Sequence, residues 1–216
     1  MTDTPKYRGL RQRLVKELRS KGIKDERILS AFIDIPRHHF LERAFAEWAY
    51  KDVAFPIDAD QTISQPYTVA MQTTLLDVQK GHKVLEIGTG SGFQACVLHY
   101  LGCKVYTIER QKLLFDKTSQ LLNRIGFTGV RTLFGDGFEG APRFAPFDRI
   151  IVTAGASELP FKLIDQLKTG GIMVIPFGDS DSQDMIRITK SEDGTLTREN
   201  FGTYRFVPFL KGVNLH

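Results

Sequence analysis

Near the start of the chain apolar residues recur every four positions, at Leu10, Leu14 and Leu18, with lysines and arginines between them. That spacing draws one apolar stripe along a helix with a charged outer face and predicts a helix over about 6–20. Two more helical patterns follow, over about 25–34 and 38–49. Asp25 can cap the second, Ile28, Leu29, Phe32 and Ile33 form its inner face, and Pro36 ends it. The third carries Phe40, Leu41, Phe45 and Trp48, an aromatic stripe expected in the core. A looser polar stretch over 50–64 leads to Pro66, which suits the first position of a helix running to about 78.

At Gly81 the rhythm changes. Short apolar runs predict strands at about 83–87, 104–108, 130–134, 148–153, 171–176, 184–189 and 201–208, with helices at about 92–101, 111–125 and 160–168. Alternation of this kind builds an α/β fold whose mostly parallel sheet is covered on both faces. The turn Glu192-Asp193-Gly194 joins the last two strands as an antiparallel edge. Residues 1–80 are expected to pack as a helical extension and loop on a Rossmann-like unit formed by 81–216.

The most informative stretch is Val84-Leu85-Glu86-Ile87-Gly88-Thr89-Gly90-Ser91-Gly92, an apolar strand entering a glycine-rich turn that opens a helix. Free N–H groups and the positive end of that helix would face a ligand at the turn. The dinucleotide fingerprint G-x-G-x-x-G would need a third glycine where this chain has Phe93. A ligand without a pyrophosphate fits better, and S-adenosylmethionine is such a ligand. Glu109 ends the next strand, 21 residues after Gly88, where a carboxylate can accept both ribose hydroxyls. Asp136, between Gly135 and Gly137, follows the third strand. Its carboxylate could accept an adenine amine while the Gly137 N–H meets a ring nitrogen.

Composition narrows the class. The chain has 216 residues, 42% hydrophobic and 25% charged, as in an ordinary globular domain. No apolar run approaches the roughly 20 residues of a membrane span, and the polar N-terminus has no signal-peptide core, so a cytoplasmic location is expected. The net charge of +4 sits largely in the first helix, where a solvated face explains it; no base-reading motif accompanies it, and nucleic-acid binding is not expected. Cys96 and Cys103 lie outside any metal-ligand spacing and read as reduced core thiols, so no metal is expected. The adjacent His38 and His39 point in different directions and make a poor metal pair.

The fourth strand ends Val152-Thr153-Ala154-Gly155, with no side chain to take a proton from an amine. The acceptor therefore needs no deprotonation. Upstream, Gln61-Thr62-Ile63-Ser64-Gln65-Pro66 sets a serine just before a helix start, where its hydroxyl and the helix N-terminus could hold an anion, or simply begin a helix.

Taken with the glycine turn, Gly135-Asp136-Gly137 and Phe206-Val207-Pro208, this segment resembles the protein-L-isoaspartate O-methyltransferase family over nearly the whole chain. The resemblance implies a Rossmann-like methyltransferase fold and methylation of isoaspartyl carboxylates in damaged proteins and peptides. It makes Ser64 the active-site serine and places Thr62 and Val207 beside it around the substrate. Glu86, Gly88, Gly90, Gly92, Glu109, Asp136 and Gly137 become the S-adenosylmethionine contacts. A monomer is expected. Two departures stand out: Phe93 where tyrosine is frequent, and Ile57-Asp58-Ala59-Asp60 where many relatives carry glycines. A methyltransferase for a small metabolite or nucleic acid, and a regulator that senses the ligand without turning it over, are the alternatives; the latter would have no need of Ser64.

Overall fold

The computed structural model describes residues 2–215. Helices α1 (Pro5–Ser20) and α2 (Glu26–Asp34) open the chain. Each starts where a side chain satisfies a free N–H: Thr4 accepts from Tyr7 N, and Asp25 accepts from Arg27 N. Leu14, Val15 and Leu18 are buried, so the stripe of α1 packs on its own chain. The expected third helix over 38–49 is absent. Three single 3-10 turns, Arg37–Phe40, Arg43–Phe45 and Trp48–Tyr50, take its place. Tertiary contacts override the helical spacing here: Phe40 meets Phe93 edge-on, whereas Phe45 and Trp48 cover Phe55 at the surface and stay about two-fifths exposed rather than joining the core. His38 is buried, stacks on Tyr7 and hydrogen-bonds Tyr50; burial pushes its pKa down to about 4, so it is a neutral structural group.

Strands β1 (Phe55–Pro56) and β2 (Thr62–Ile63) form a short antiparallel pair inside the stretch that reads as loop, and α3 (Pro66–Leu76) follows. The main sheet contains β3 (Lys83–Ile87), β4 (Lys104–Glu109), β5 (Arg131–Phe134), β6 (Phe147–Val152), β7 (Leu167–Gly178), β8 (Gln183–Lys190) and β9 (Leu196–Tyr204). Their order is β5-β4-β3-β6-β7-β8-β9. The strands from β5 to β7 are parallel, and β8 and β9 close the edge antiparallel, as the alternation and the Glu192–Gly194 turn require. Helices α4 (Phe93–Tyr100), α5 (Lys112–Arg124) and α6 (Phe161–Asp165) complete the fold. The last is shorter than the expected 160–168 because β7 begins at Leu167.

Every residue of α4 from Phe93 to Leu98 is buried. A helix apolar all round must be covered on both sides. The sheet covers one and α2 the other, and one hydrophobic cluster runs from Leu14 in α1 through Val97 in α4 to Val174 in β7. The N-terminal helices are thereby bonded to the sheet through the helix that begins at the glycine turn. Both cysteines lie in the same cluster, their thiols pushed upward by burial.

Candidate active site

The chain leaves β3 toward β4 and β5 on one side, then returns to β6 on the other, so strand order reverses between β3 and β6. A crevice opens beyond the carboxyl ends of strands at such a point. Gly88 and Thr153, the residues that follow these two strands, form its floor. Gly88 has φ +94°, and a Cβ there would sit 2.6 Å from Thr153 Oγ1. The Thr153 hydroxyl lies 2.9 Å from the Ile87 carbonyl and 2.8 Å from that of Gly88, so it is committed to holding the turn. Gly92, at φ +86°, begins α4 one residue behind the cleft wall.

Glu109 ties the turn to the second strand. Oε2 accepts from Gly90 N at 2.8 Å and Oε1 from Gln111 N at 2.9 Å. Each oxygen keeps a lone pair, two acceptor sites side by side on the cleft wall. Burial raises the pKa of this carboxyl, and the backbone donors at Gln111 and Gly90 oppose the shift. Glu86, also on the wall, is buried, and neither carboxyl oxygen has a partner among the described residues. The nearby Thr107 hydroxyl pairs with Thr89, 2.8 Å away. Burial pushes the Glu86 acid up to about 8, so it is protonated at neutral pH. Gln94 Oε1 is a further buried acceptor without a partner on the same wall. Acceptor oxygens of Glu86, Gln94 and Glu109 face the cleft, and the arginine there, Arg110, donates its Nε–H to the Gly212 carbonyl. Such a lining suits ribose hydroxyls and an ammonium group far better than phosphates.

The other wall of the cleft comes from β2 and the residues that follow β9. Ser64 follows the β1–β2 pair and lines the same cleft, half-buried, its hydroxyl without a partner among the described residues. The preceding turn explains the odd Ile57–Asp60 segment: Ala59 and Asp60 take φ +56° and +55°, the left-handed region that favours glycine. The start of α3 departs from the expected anion seat. Gln65 makes no capping bond there; the buried Asp52 carboxylate accepts from Tyr67 N at 2.7 Å and is held by Gln65 Nε2 and Lys21. The positive end of α3 thus already carries the chain's own anion.

Strand β9 stops at Tyr204 instead of running to 208. The following residues cross back over the sheet, where Gly155 N donates to the Val207 carbonyl and Phe209 N to the Gly155 carbonyl, both at 2.8 Å. This crossing brings Val207 to the cleft that Thr62 and Ser64 also line. Gly137 also lines the cleft, packed so closely that a Cβ would lie 2.5 Å from Ile87 Cγ2 and 2.8 Å from the Phe209 ring. Asp136 does not line it. Its carboxylate accepts from Phe138 N at 2.8 Å and from Gly212 N at 2.7 Å, fastening the C-terminal segment.

The structure therefore gathers Thr62, Ser64, Glu86, Gly88, Gly90, Glu109, Gly137 and Val207 around one cleft, with Gly92 behind it and Asp136 beside it. A second groove shares Thr62, Ser64 and Val207 with the cleft and continues past Tyr67, Tyr204 and Arg205 to the surface. Sequence reasoning missed Asp52 and Phe209. A glutamine at a helix start, a weak cap, is the one local sign that an acid must come from elsewhere.

Residues 9–214 match the protein-L-isoaspartate(D-aspartate) O-methyltransferase family. A protein-L-isoaspartate O-methyltransferase of Flavobacterium psychrophilum is 54% identical over 214 residues, covering 99% of this chain and all of its own. Its namesake from Dictyoglomus thermophilum is 48% identical over 97% of this chain and 94% of its own. A solved protein-L-isoaspartate O-methyltransferase superposes with a TM-score of 0.83 at 30% identity, over 92% of this chain and 65% of that one. A Plasmodium falciparum structure in complex with S-adenosyl-L-homocysteine shares the fold, with a TM-score of 0.79 at 24% identity. With a family match across residues 9–214 and full-length relatives at about half identity, the chain belongs to the protein-L-isoaspartate(D-aspartate) O-methyltransferase family.

Proposed function

We propose that the protein transfers the methyl group of S-adenosylmethionine to the free carboxylate of L-isoaspartyl residues, with Ser64 holding the acceptor and Glu109 the ribose of the donor. The observation that carries this reading is the junction at Ser64, where the cleft lined by buried carboxyls meets the second groove, which runs on past Tyr67, Tyr204 and Arg205. Glu109 would accept the ribose hydroxyls with the lone pairs that Gly90 and Gln111 leave free. The unpartnered Glu86 and Gln94 oxygens suit the ammonium end. Gly88, Gly90 and Gly92 let the backbone turn beside the ligand, and Gly137 would meet the adenine. Asp136 supports that contact by fastening the segment that carries Phe209 and Gly212. Bound there, S-adenosylmethionine supplies an electrophilic methyl group on a sulfonium.

An isoaspartyl carboxyl, with pKa about 4, is already ionised at neutral pH and needs no general base. This agrees with a β6 end whose hydroxyl, on Thr153, is fully engaged by the backbone. Ser64 would give the carboxylate one hydrogen bond, with Thr62 and Val207 flanking the peptide. A cation in its place would stabilise the ground state and slow a transfer in which charge is neutralised. The work of the site is alignment. Once formed, the methyl ester loses methanol to attack by the following backbone nitrogen, closing a succinimide; water then opens that ring, partly to a normal aspartyl linkage. The reading takes 1–80 and 81–216 as one working unit, a monomer acting on proteins rather than nucleic acid, in the cytoplasm. Among the described residues no helix is long and apolar enough to cross a membrane.

The test is transfer of labelled methyl to an isoaspartyl peptide and to its aspartyl twin. Label on the first alone, released as methanol in mild base, supports the reading; label on neither refutes it. Ser64→Ala should lower kcat/KM for the peptide by about 10- to 100-fold, the worth of one hydrogen bond to a charged group.

A further inference from the structure

Arg37 occupies a position that packing alone does not explain. It lies in the 3-10 turn after α2, and its side chain is buried. Nη2 donates to the Ser64 carbonyl at 2.7 Å, and the guanidinium lies over the Phe93 ring, 4.5 Å from its centroid. Nε and Nη1 have no partner among the described residues. The charge that chiefly offsets it is Asp52, whose carboxylate is spent on Tyr67 N, Gln65 and Lys21. Burying a guanidinium with two nitrogens unpaired is costly, and an apolar side chain of similar size would fill the space better. Burial is severe enough to bring the pKa of this arginine down to about 9.

Its two contacts are the informative ones. Ser64 presents the acceptor, and Phe93 is the first residue of the helix that starts at the glycine turn. Phe93 is itself wedged edge-on between Phe32 and Phe40, so it is a fixed point of the core. We propose that Arg37 is a positioning residue for the acceptor: it ties the Ser64 backbone to the Phe93 ring and so fixes where the serine hydroxyl stands relative to the donor side of the cleft. This rests on the assignment of Ser64 to the acceptor carboxylate. A planar guanidinium does both tasks at once, lying flat on the ring while an edge N–H reaches the carbonyl. Lysine keeps the charge and one donor but cannot do both.

The experiment is a double-mutant cycle on the intact protein, with Arg37→Met, Ser64→Ala and the pair, and Arg37→Lys alongside. Steady-state kinetics with an isoaspartyl peptide, the Kd of S-adenosylhomocysteine by calorimetry and the thermal midpoint are read for each. Arg37→Met should lower kcat/KM for the peptide at least about tenfold, mainly through KM, and Arg37→Lys should recover part of the loss. The Kd for S-adenosylhomocysteine should move by less than about threefold, because nothing on the donor side is removed. In the Ser64→Ala background Arg37→Met should change kcat/KM by less than about twofold, since a misplaced hydroxyl and a missing one leave the same site. Losses that multiply, or peptide kinetics that fall only in step with the thermal midpoint and the Kd, would overturn the proposal. If Arg37→Met does not fold, Arg37→Lys carries the same cycle. A silent Ser64→Ala sinks the serine assignment and this inference together; an impaired Ser64→Ala with multiplying losses sinks this inference alone.

Discussion

Replacing Glu86 by glutamine should flatten the pH dependence of stability. The folded protein holds this acid at about 8, against 4.5 for an unfolded glutamate, chiefly because the carboxyl is buried. Between those values the unfolded chain has released a proton that the folded chain retains. Stability therefore falls as pH rises through this window, and the full loss is present above the folded value. At about 1.4 kcal/mol per pH unit the cost is about 3 kcal/mol near pH 7 and approaches about 5 kcal/mol above pH 8. Glutamine has no such proton to lose. Urea unfolding of the ligand-free wild type and Glu86→Gln at intervals from pH 5 to 9 measures the difference directly. The variant should gain on the wild type by about 4 kcal/mol across that range, with most of the gain below pH 8. Any fixed cost of burying an amide shifts both ends equally and leaves the slope untouched. A difference that stays flat within about 0.5 kcal/mol from pH 5 to 9 would show that Glu86 titrates as an ordinary acid and that the reasoning from its burial is wrong.

Three further outcomes follow from other contacts. Glu109→Ala should weaken S-adenosylhomocysteine binding by about 10- to 1000-fold in calorimetry, because ribose loses a charged acceptor and Gly90 N is left unpaired; an unchanged Kd would remove the ribose assignment. Asp52→Ala should lower unfolding stability by about 1–2 kcal/mol in urea titrations through loss of the cap on α3, and a loss below about 0.3 kcal/mol would mean that water replaces it. Asp136→Ala should weaken S-adenosylhomocysteine binding and raise amide exchange at Gly212, whose N–H it holds; if Gly212 exchange is unaltered, the carboxylate does not fasten the C-terminal segment.

Much of the parallel sheet was legible because its strands are short apolar runs that one pattern suffices to recognise. The glycine turn was equally legible: Gly88 must adopt a positive φ, a local demand that only glycine meets without strain. Glu109 could be placed because a strand end carries its side chain to the crevice whatever the rest of the fold does. The third helix was not legible. Phe40, Leu41, Phe45 and Trp48 have helical spacing, yet Phe40 is claimed by Phe93 while Phe45 and Trp48 are drawn to Phe55.

By itself, then, the sequence determined the elements whose conformation is set within a few residues: the strands of the parallel sheet, the turn at Gly88, the cap at Asp25, and the serine placed before Pro66. Tertiary structure alone decided which groups from far along the chain meet there. Asp52, rather than a ligand, sits on the N-terminus of α3; residues 205–208 leave β9 and carry Val207 to Ser64; and Arg37 spans from Ser64 to Phe93. The physical reason is range. Backbone dihedrals and hydrophobic periodicity act between neighbours, whereas a buried charge or a remote cap depends on which surfaces the completed sheet and its covering helices press together.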